Sequence, residues 1–326
     1  MRVPHLVRLA AASTLVAMAA PAATQTTHSK DWPPMLGTTP AEISGSLTQG
    51  PQLERGRSAR WLLAEHRKLD AALQALAPQH QERVDAYVVS VALDSDAVFA
   101  REAREAGKVL SRRFDADGRT LVLAGSFGAA DADLPHGNLN SLNVALARVA
   151  ELMDREQDVL VLYTTSHGAE VGLAYHDGDQ GYGILSPARF GAILDELGIR
   201  NRVLILSACY AGIFVPRLAD ADTALLTAAS SARTSFGCRA ENDWTFFGDA
   251  LINHALRKPQ SLEAAGREAQ DMISGWETAG RLKPSDPQMV IGSRVARWLE
   301  PLEARMPAST STPTGRPAVE SLKDGN

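Results

Sequence analysis

The chain has 326 residues, 45% of them apolar and 22% charged, with a net charge of −5 at neutral pH. This is the composition of a globular protein, long enough for one large domain or two small ones. The acidic balance gives no electrostatic basis for binding nucleic acid or an anionic membrane surface, and beyond the N-terminus no apolar run is long enough to span a bilayer.

Arg2 and Arg8 accompany an apolar run, Leu9 to Ala20, interrupted only by Ser13 and Thr14. Small residues follow; Ala20-Pro21-Ala22 fits an A-x-A cleavage site, with Ala17-Met18-Ala19 as its rival. Residues 1–22 are therefore expected to be a secretory signal peptide. No cysteine follows to receive a lipid, so no stable membrane insertion is expected after its removal, and the mature chain is expected to be periplasmic or secreted. Residues 23–56 contain Thr, Pro, Gly and Ser without a sustained period and are expected to form a flexible leader, either a pro-segment or a linker.

A helix is predicted from Ser58 to Leu76, where Leu62, Leu69, Leu73 and Leu76 fall on one face, and Pro78 ends it. Asp85 to Leu93 is apolar and β-branched, a buried strand. Asp94-Ser95-Asp96 breaks it and caps a helix over Ala97 to Phe114. Thr120 to Ala124 is a second strand, and a Gly/Asp-rich loop over 125–137 leads to a helix from Asn140 to Arg155. The run Val159-Leu160-Val161-Leu162-Tyr163 then ends in Thr164-Thr165-Ser166-His167-Gly168. A hairpin is expected over Gly172 to Tyr182, turning at Asp177-Gly178, followed by a helix over Pro187 to Leu197. The run Val203-Leu204-Ile205-Leu206 ends in Ser207-Ala208-Cys209-Tyr210-Ala211-Gly212. Thr223 to Ala228 is a fifth strand, Phe246 to Leu256 and Leu262 to Trp276 are amphipathic helices, and Met289 to Ile291 is a short last strand. Residues 302–326, rich in Pro, Ser and Thr towards the end, are expected to be disordered. Strands alternating with helices call for an α/β fold with a mainly parallel sheet covered on both faces, one domain over about 57–301.

In such a sheet neighbouring strands finish on one edge, where ligands bind. The thiol of Cys209 and the imidazole of His167 would meet there, as a Cys/His nucleophilic site requires. Each has a plainer reading: Cys209 as a buried core cysteine, His167 as a rim histidine bonded to a carbonyl. The small residues around Cys209, and Gly168, would leave main-chain N–H groups free to hold an oxyanion. Cys209 and Cys238 are the only two cysteines, so one disulfide or two thiols are allowed. The H-D-x-D run of His176, Asp177 and Asp179 matches no metal-ligand spacing and is expected to be a solvated hairpin tip; His136 and His254 are expected at the surface. There is no G-x-S-x-G elbow and no C-x-x-C pair.

The strand-end motifs Ser166-His167-Gly168 and Ser207-Ala208-Cys209-Tyr210-Ala211-Gly212, in that order, resemble the legumain family of cysteine peptidases, in the caspase-like clan. Thr227-Ala228-Ala229, Ser235-Phe236-Gly237-Cys238, Thr245-Phe246-Phe247-Gly248-Asp249 and Pro287-Gln288 extend the resemblance, which runs from about Asp85 to Ile291. It implies a caspase-like three-layer α/β/α sandwich and peptide-bond hydrolysis by a Cys209–His167 dyad through an acyl-enzyme. Gly168 and Cys209 would supply the oxyanion N–H groups, Asp94 would stand near the group that orients the histidine, and Cys238 would be a free thiol near the pocket. Ser207, Thr234, Ser235 and Asp249 would fall around the substrate pocket. No metal and no cofactor is implied; the partner is a peptide or protein substrate. The family's acid two positions before the cysteine is Ser207 here, and its Arg-His pair is not evident near Asp96 to Arg101. A catalytically silent binding protein and a transamidase or ligase with the same dyad are the alternative readings.

Overall fold

The computed structural model describes residues 37–125 and 133–323. The expected signal peptide, the first part of the leader, most of the Gly/Asp-rich loop and the last three residues lie outside them. In chain order the elements are α1 (Pro40–Gln49), β1 (Gln52–Glu54), α2 (Ala59–Gln74), β2 (Ala86–Ala92), α3 (Ala97–Arg113), β3 (Thr120–Leu123), α4 (Leu139–Leu152) and β4 (Val159–Thr165). They continue with β5 (Gly168–Ala169), β6 (Gly172–Asp177), β7 (Gly181–Leu185), α5 (Pro187–Glu196), β8 (Arg202–Ser207), α6 (Val215–Leu218) and β9 (Thr223–Thr227). Last come α7 (Leu262–Ala279), β10 (Gln288–Ile291) and α8 (Ala296–Glu303).

Six strands form the main sheet in the order β10-β9-β8-β4-β2-β3, parallel throughout except for β10 at one edge. The central strands are buried along their whole length, which is why they read as unbroken apolar runs. Alternate residues serve opposite faces. Val88, Val161, Tyr163, Val203 and Ile205 pack with α3, α7 and α8, while Val89, Leu160, Leu162, Leu204 and Leu206 pack with α4 and α5. The fold is therefore a three-layer α/β/α sandwich on a largely parallel sheet, as expected. Only the far half of the predicted α2 stripe takes part: Leu69 and Leu73 pack on the second face, whereas Leu62 is exposed.

A small antiparallel sheet, β1-β7-β6-β5, starts where β4 ends. Its β6 is tied to the end of β2, with His176 N–H donating to Leu93 O and Ser95 N–H to His176 O, each 2.9 Å. Part of the expected flexible leader is thus ordered. Thr39 and Glu42 form a reciprocal capping box on α1, and β1 pairs with β7. The hairpin tip is solvated only in part, with Asp179 exposed and His176 half-exposed. Asp177 is buried and takes an ion pair from Arg57 and a 2.9 Å contact from His136 Nε2, so His136 is a buried histidine rather than a surface one. Trp61 covers the group, its ring 4.3 Å from the Arg57 guanidinium carbon.

Two further expectations fail around the C-terminus. Phe246 to Leu256 does not form an α-helix; Gly248–His254 is a π-helical segment and Ala255–Arg257 a 3₁₀ turn. The tail is ordered as far as residue 323 because buried polar groups receive it. Trp244 Nε1 donates to Thr314 O at 2.7 Å, Thr314 N–H to Asn253 Oδ1 at 2.9 Å, and Ala318 N–H to Asp249 Oδ2 at 2.7 Å. Proline and serine content signals disorder only where nothing supplies partners for the backbone. Among the described residues no helix is long and apolar enough to cross a membrane.

Removing residues 307–326 should leave the Asp249 carboxylate and the Trp244 indole without their tail partners. The expected loss is about 2–4 kcal/mol, seen as a fall in Tm of roughly 5–10 °C by calorimetry. An unchanged Tm would mean that the tail does not pack.

Candidate active site

The carboxyl ends of β4 and β8 lie side by side, with Thr165 opposite Ser207 and Ser166 N–H donating to Ser207 O at 3.2 Å. Two to three residues further on, the chains come into contact. A Cβ on Gly168 would lie 2.0 Å from the carbonyl oxygen of Cys209, so only glycine fits between the two loops. His167 and Cys209 are thereby carried to one rim of the sheet.

The turn after Cys209 is strained. Tyr210 has φ +58°, a left-handed conformation that a bulky side chain adopts rarely. Tyr210 N–H donating to Arg233 O at 2.8 Å and Gly212 N–H donating to Ala229 O at 2.9 Å hold it there. Gly212 is a second forced glycine, since a Cβ would lie 2.5 Å from Ser231 N. The cysteine thus sits at the head of a sharp strand-to-helix turn whose geometry the 229–235 loop maintains.

Cys209 and Cys238 are both free thiols. Ser235 N–H lies 3.3 Å from Cys209 Sγ and the Ser235 hydroxyl 3.6 Å away. A hydrogen bond from the Cys238 thiol, those from Ser235 and the charge of His167 outweigh burial and bring the Cys209 thiol down to about 6. Cys238 is pushed the other way, first by that same bond to Cys209 and then by burial. The two thiols are thus pushed in opposite directions, Cys209 towards the thiolate and Cys238 away from it.

The His167 ring stands edge-on to Phe99, centroids 5.0 Å apart, and its Nε2 is 3.3 Å from Asp96 Oδ2. The sequence put Asp94 near the place of the orienting group, but the structure gives that contact to Asp96. Asp94 is buried, accepts the Asp96 N–H at 2.9 Å, and has its carboxyl raised by burial. The thiol and the imidazole make no hydrogen bond to one another; Cys209 is engaged by Ser235 and His167 by Asp96.

Of the expected pocket residues, Ser235 lies against the thiol and Thr234 is exposed beside it. Asp249 points elsewhere. It is wholly buried, its two oxygens taken by Ala318 N–H and by Asn253 Nδ2 at 2.8 Å, so in this conformation it does not face a substrate. Ser207 is also buried, and it reveals an acid that sequence reading missed. Its hydroxyl donates at 3.0 Å to Glu102, a fully buried residue of α3. The same carboxylate accepts from Tyr163, from Thr165 Oγ1 at 2.8 Å and from Thr245 N–H at 2.8 Å. A signal for it was present: Glu102 falls in the apolar stripe of α3, among Val98, Phe99, Ala103 and Ala106.

Residues 136–285 match the Peptidase C13 family. The C13 match contains His167 and Cys209 together with Ser207, Thr234, Ser235, Cys238 and Asp249, and covers the greater part of the stretch over which the legumain resemblance was traced. No curated protein matches the chain. Among solved structures, the crystal structure of caspase-1 from Spodoptera frugiperda is similar, with 16% identity over 66% of this chain and 88% of that one, at a TM-score of 0.44.

Iodoacetamide should modify Cys209 far faster than Cys238. The thiolate is the reactive form, so a lowered value means that the rate is near its plateau at pH 7 and falls as the pH drops through about 6. Replacing Cys238 by Ala removes the leading stabilising bond and should move that midpoint upwards, towards the value of a free thiol near 8.5. Equal labelling of both cysteines with a common midpoint would contradict the asymmetry.

Proposed function

We propose that the protein is a cysteine endopeptidase acting through Cys209 and His167. The observation that carries this reading is the contact of Gly168 with the Cys209 carbonyl, which holds the two strand ends, and with them both reactive groups, at one rim. The C13 match over the same residues supports it.

In this mechanism the Cys209 thiolate attacks the scissile carbonyl carbon, and the N–H groups of Gly168 and Cys209 receive the oxyanion. With Nε2 directed to Asp96, Nδ1 of His167 is left to pass a proton to the departing amine. Collapse of the tetrahedral adduct releases that amine and leaves an acyl group on Cys209. Water, deprotonated by His167, then hydrolyses the thioester and regenerates the thiol. Because the thiol and imidazole are not bonded in the resting state, substrate binding is the event that aligns them. Thr234 and Ser235 would line the pocket for the side chain before the cut, with Ser207 and Glu102 behind it as a fixed wall. The export signal read in the N-terminal sequence would place this activity in the periplasm or outside the cell.

The test is a diverse peptide mixture incubated under reducing conditions with the protein and with Cys209→Ala and His167→Ala. Cleavage by the parent that is lost in both variants is the expected outcome. Cleavage by neither parent nor variants would favour a silent binding module, and amine-dependent joined products would favour a transamidase. Gly168→Ala, which forces the two loops apart, should cost roughly a hundredfold in kcat/KM. Asp96→Ala should lower kcat by roughly tenfold or more while leaving KM nearly unchanged.

A further inference from the structure

Beside the reactive rim, oxygen atoms of Asp94 and Asp96 and a ring nitrogen of His167 all lie within 4.8 Å of one another. Two carboxylates and an imidazole on a rigid frame are a donor set suited to a transition-metal dication. Three features make the group more than an acidic turn. Asp94 is only 2% exposed, fixed at the end of β2 between His176 and the Asp96 N–H. Its Oδ2 is buried with no hydrogen-bond donor; the nearest cationic group is His176 Nδ1, at 3.5 Å. A buried carboxylate oxygen without a hydrogen-bond donor is costly, and a cation held by the Asp94 carboxylate together with Asp96 and His167 would offset that cost. The other two ligands are half exposed, with side chains 43% and 45% accessible, so they can close the remaining distance by small rotations and leave open positions for water.

We propose that Asp94, Asp96 and His167 form a binding site for a zinc-class divalent cation, and that its occupation takes His167 out of use. Zinc prefers ligand distances of about 2.0–2.2 Å for both imidazole nitrogen and carboxylate oxygen. An imidazole that has given its nitrogen to the metal cannot carry a proton between the thiol and a leaving amine. The binding stands on this geometry alone; only its inhibitory consequence rests on the proposed catalytic role of His167. The cation would thus act as a reversible brake, competing with the His167–Asp96 contact of the metal-free state.

Equilibrium dialysis of untagged protein against zinc, with cobalt absorption as a second readout, tests the site directly. One equivalent of zinc should bind at micromolar concentrations. Its affinity should fall by about tenfold or more in Asp96→Asn and in Asp94→Asn, and be unchanged in Cys209→Ala. The cobalt spectrum should lack a thiolate charge-transfer band. Asp96 is half exposed and makes no side-chain capping bond, so Asp96→Asn decides the matter even if Asp94→Asn folds poorly. Absence of zinc binding, binding indifferent to Asp96→Asn, or binding lost in Cys209→Ala would each overturn the site. Zinc should also inhibit peptide cleavage by the parent, and inhibit Asp96→Asn less. Zinc binding with no peptidase activity at all would count against the proposed function and leave the site standing.

Discussion

The contact between Gly168 and the carbonyl of Cys209 is the constraint on which the rim depends. It leaves no room for a side chain, so the loops after β4 and β8 are locked at a fixed separation. Parallel pairing of the two strands up to Thr165 and Ser207 delivers them to that point in register. The strained Tyr210 and the forced Gly212 then turn the chain away sharply, leaving Cys209 at the apex. Local strain here is stabilised by the surrounding 229–235 loop, which also supplies the N–H and hydroxyl of Ser235 to the thiol.

Beneath this rim lies a single buried carboxylate. Glu102 reaches from α3 to β4, β8 and the start of the π-helical segment, and its four hydrogen bonds join the elements that carry His167, Cys209 and the 245–249 motif. A buried acid is tolerable when it is well supplied with donors, and Glu102 has four, three on Oε1 and one on Oε2. Gly248 permits the approach, since a Cβ would lie 2.2 Å from the carboxylate. The position two before the cysteine carries Ser207, and the buried acid that its hydroxyl meets, Glu102, is delivered by another element. Asp249, which kept the motif position, has turned to hold the C-terminal tail.

These two acids mark the boundary of what the sequence could convey. The strands of the main sheet and the helices α3, α4, α5 and α7 were legible because burial on one or two faces leaves a direct imprint on residue order. His167 and Cys209 were legible because strand ends in a parallel sheet share an edge. Direction of a side chain is another matter. Whether Asp94 or Asp96 meets the histidine depends on two residues of a turn, and whether Asp249 faces substrate or tail depends on a π-helical phase that no periodicity announces. The ordered parts of the leader and tail were missed for a related reason. Arg57 on Asp177, and Ala318 on Asp249, are long-range polar contacts between segments of unremarkable composition. The α1 capping box, Thr39 to Glu42, has the T-x-x-E spacing of a helix start, in a leader read only for its lack of a sustained period.

In the proposed mechanism the two thiols and the His167–Asp96 pair would divide the chemistry between them: the first would favour the thiolate, the second would orient the imidazole. The most direct measurement of the central proposal is acid-quenched mass mapping of the protein during turnover of a cleaved peptide. An acyl group carrying the N-terminal half of the substrate should be found on Cys209 and on no other residue. An acyl group on Cys238, or product formation with no acylated cysteine at any time, would contradict it.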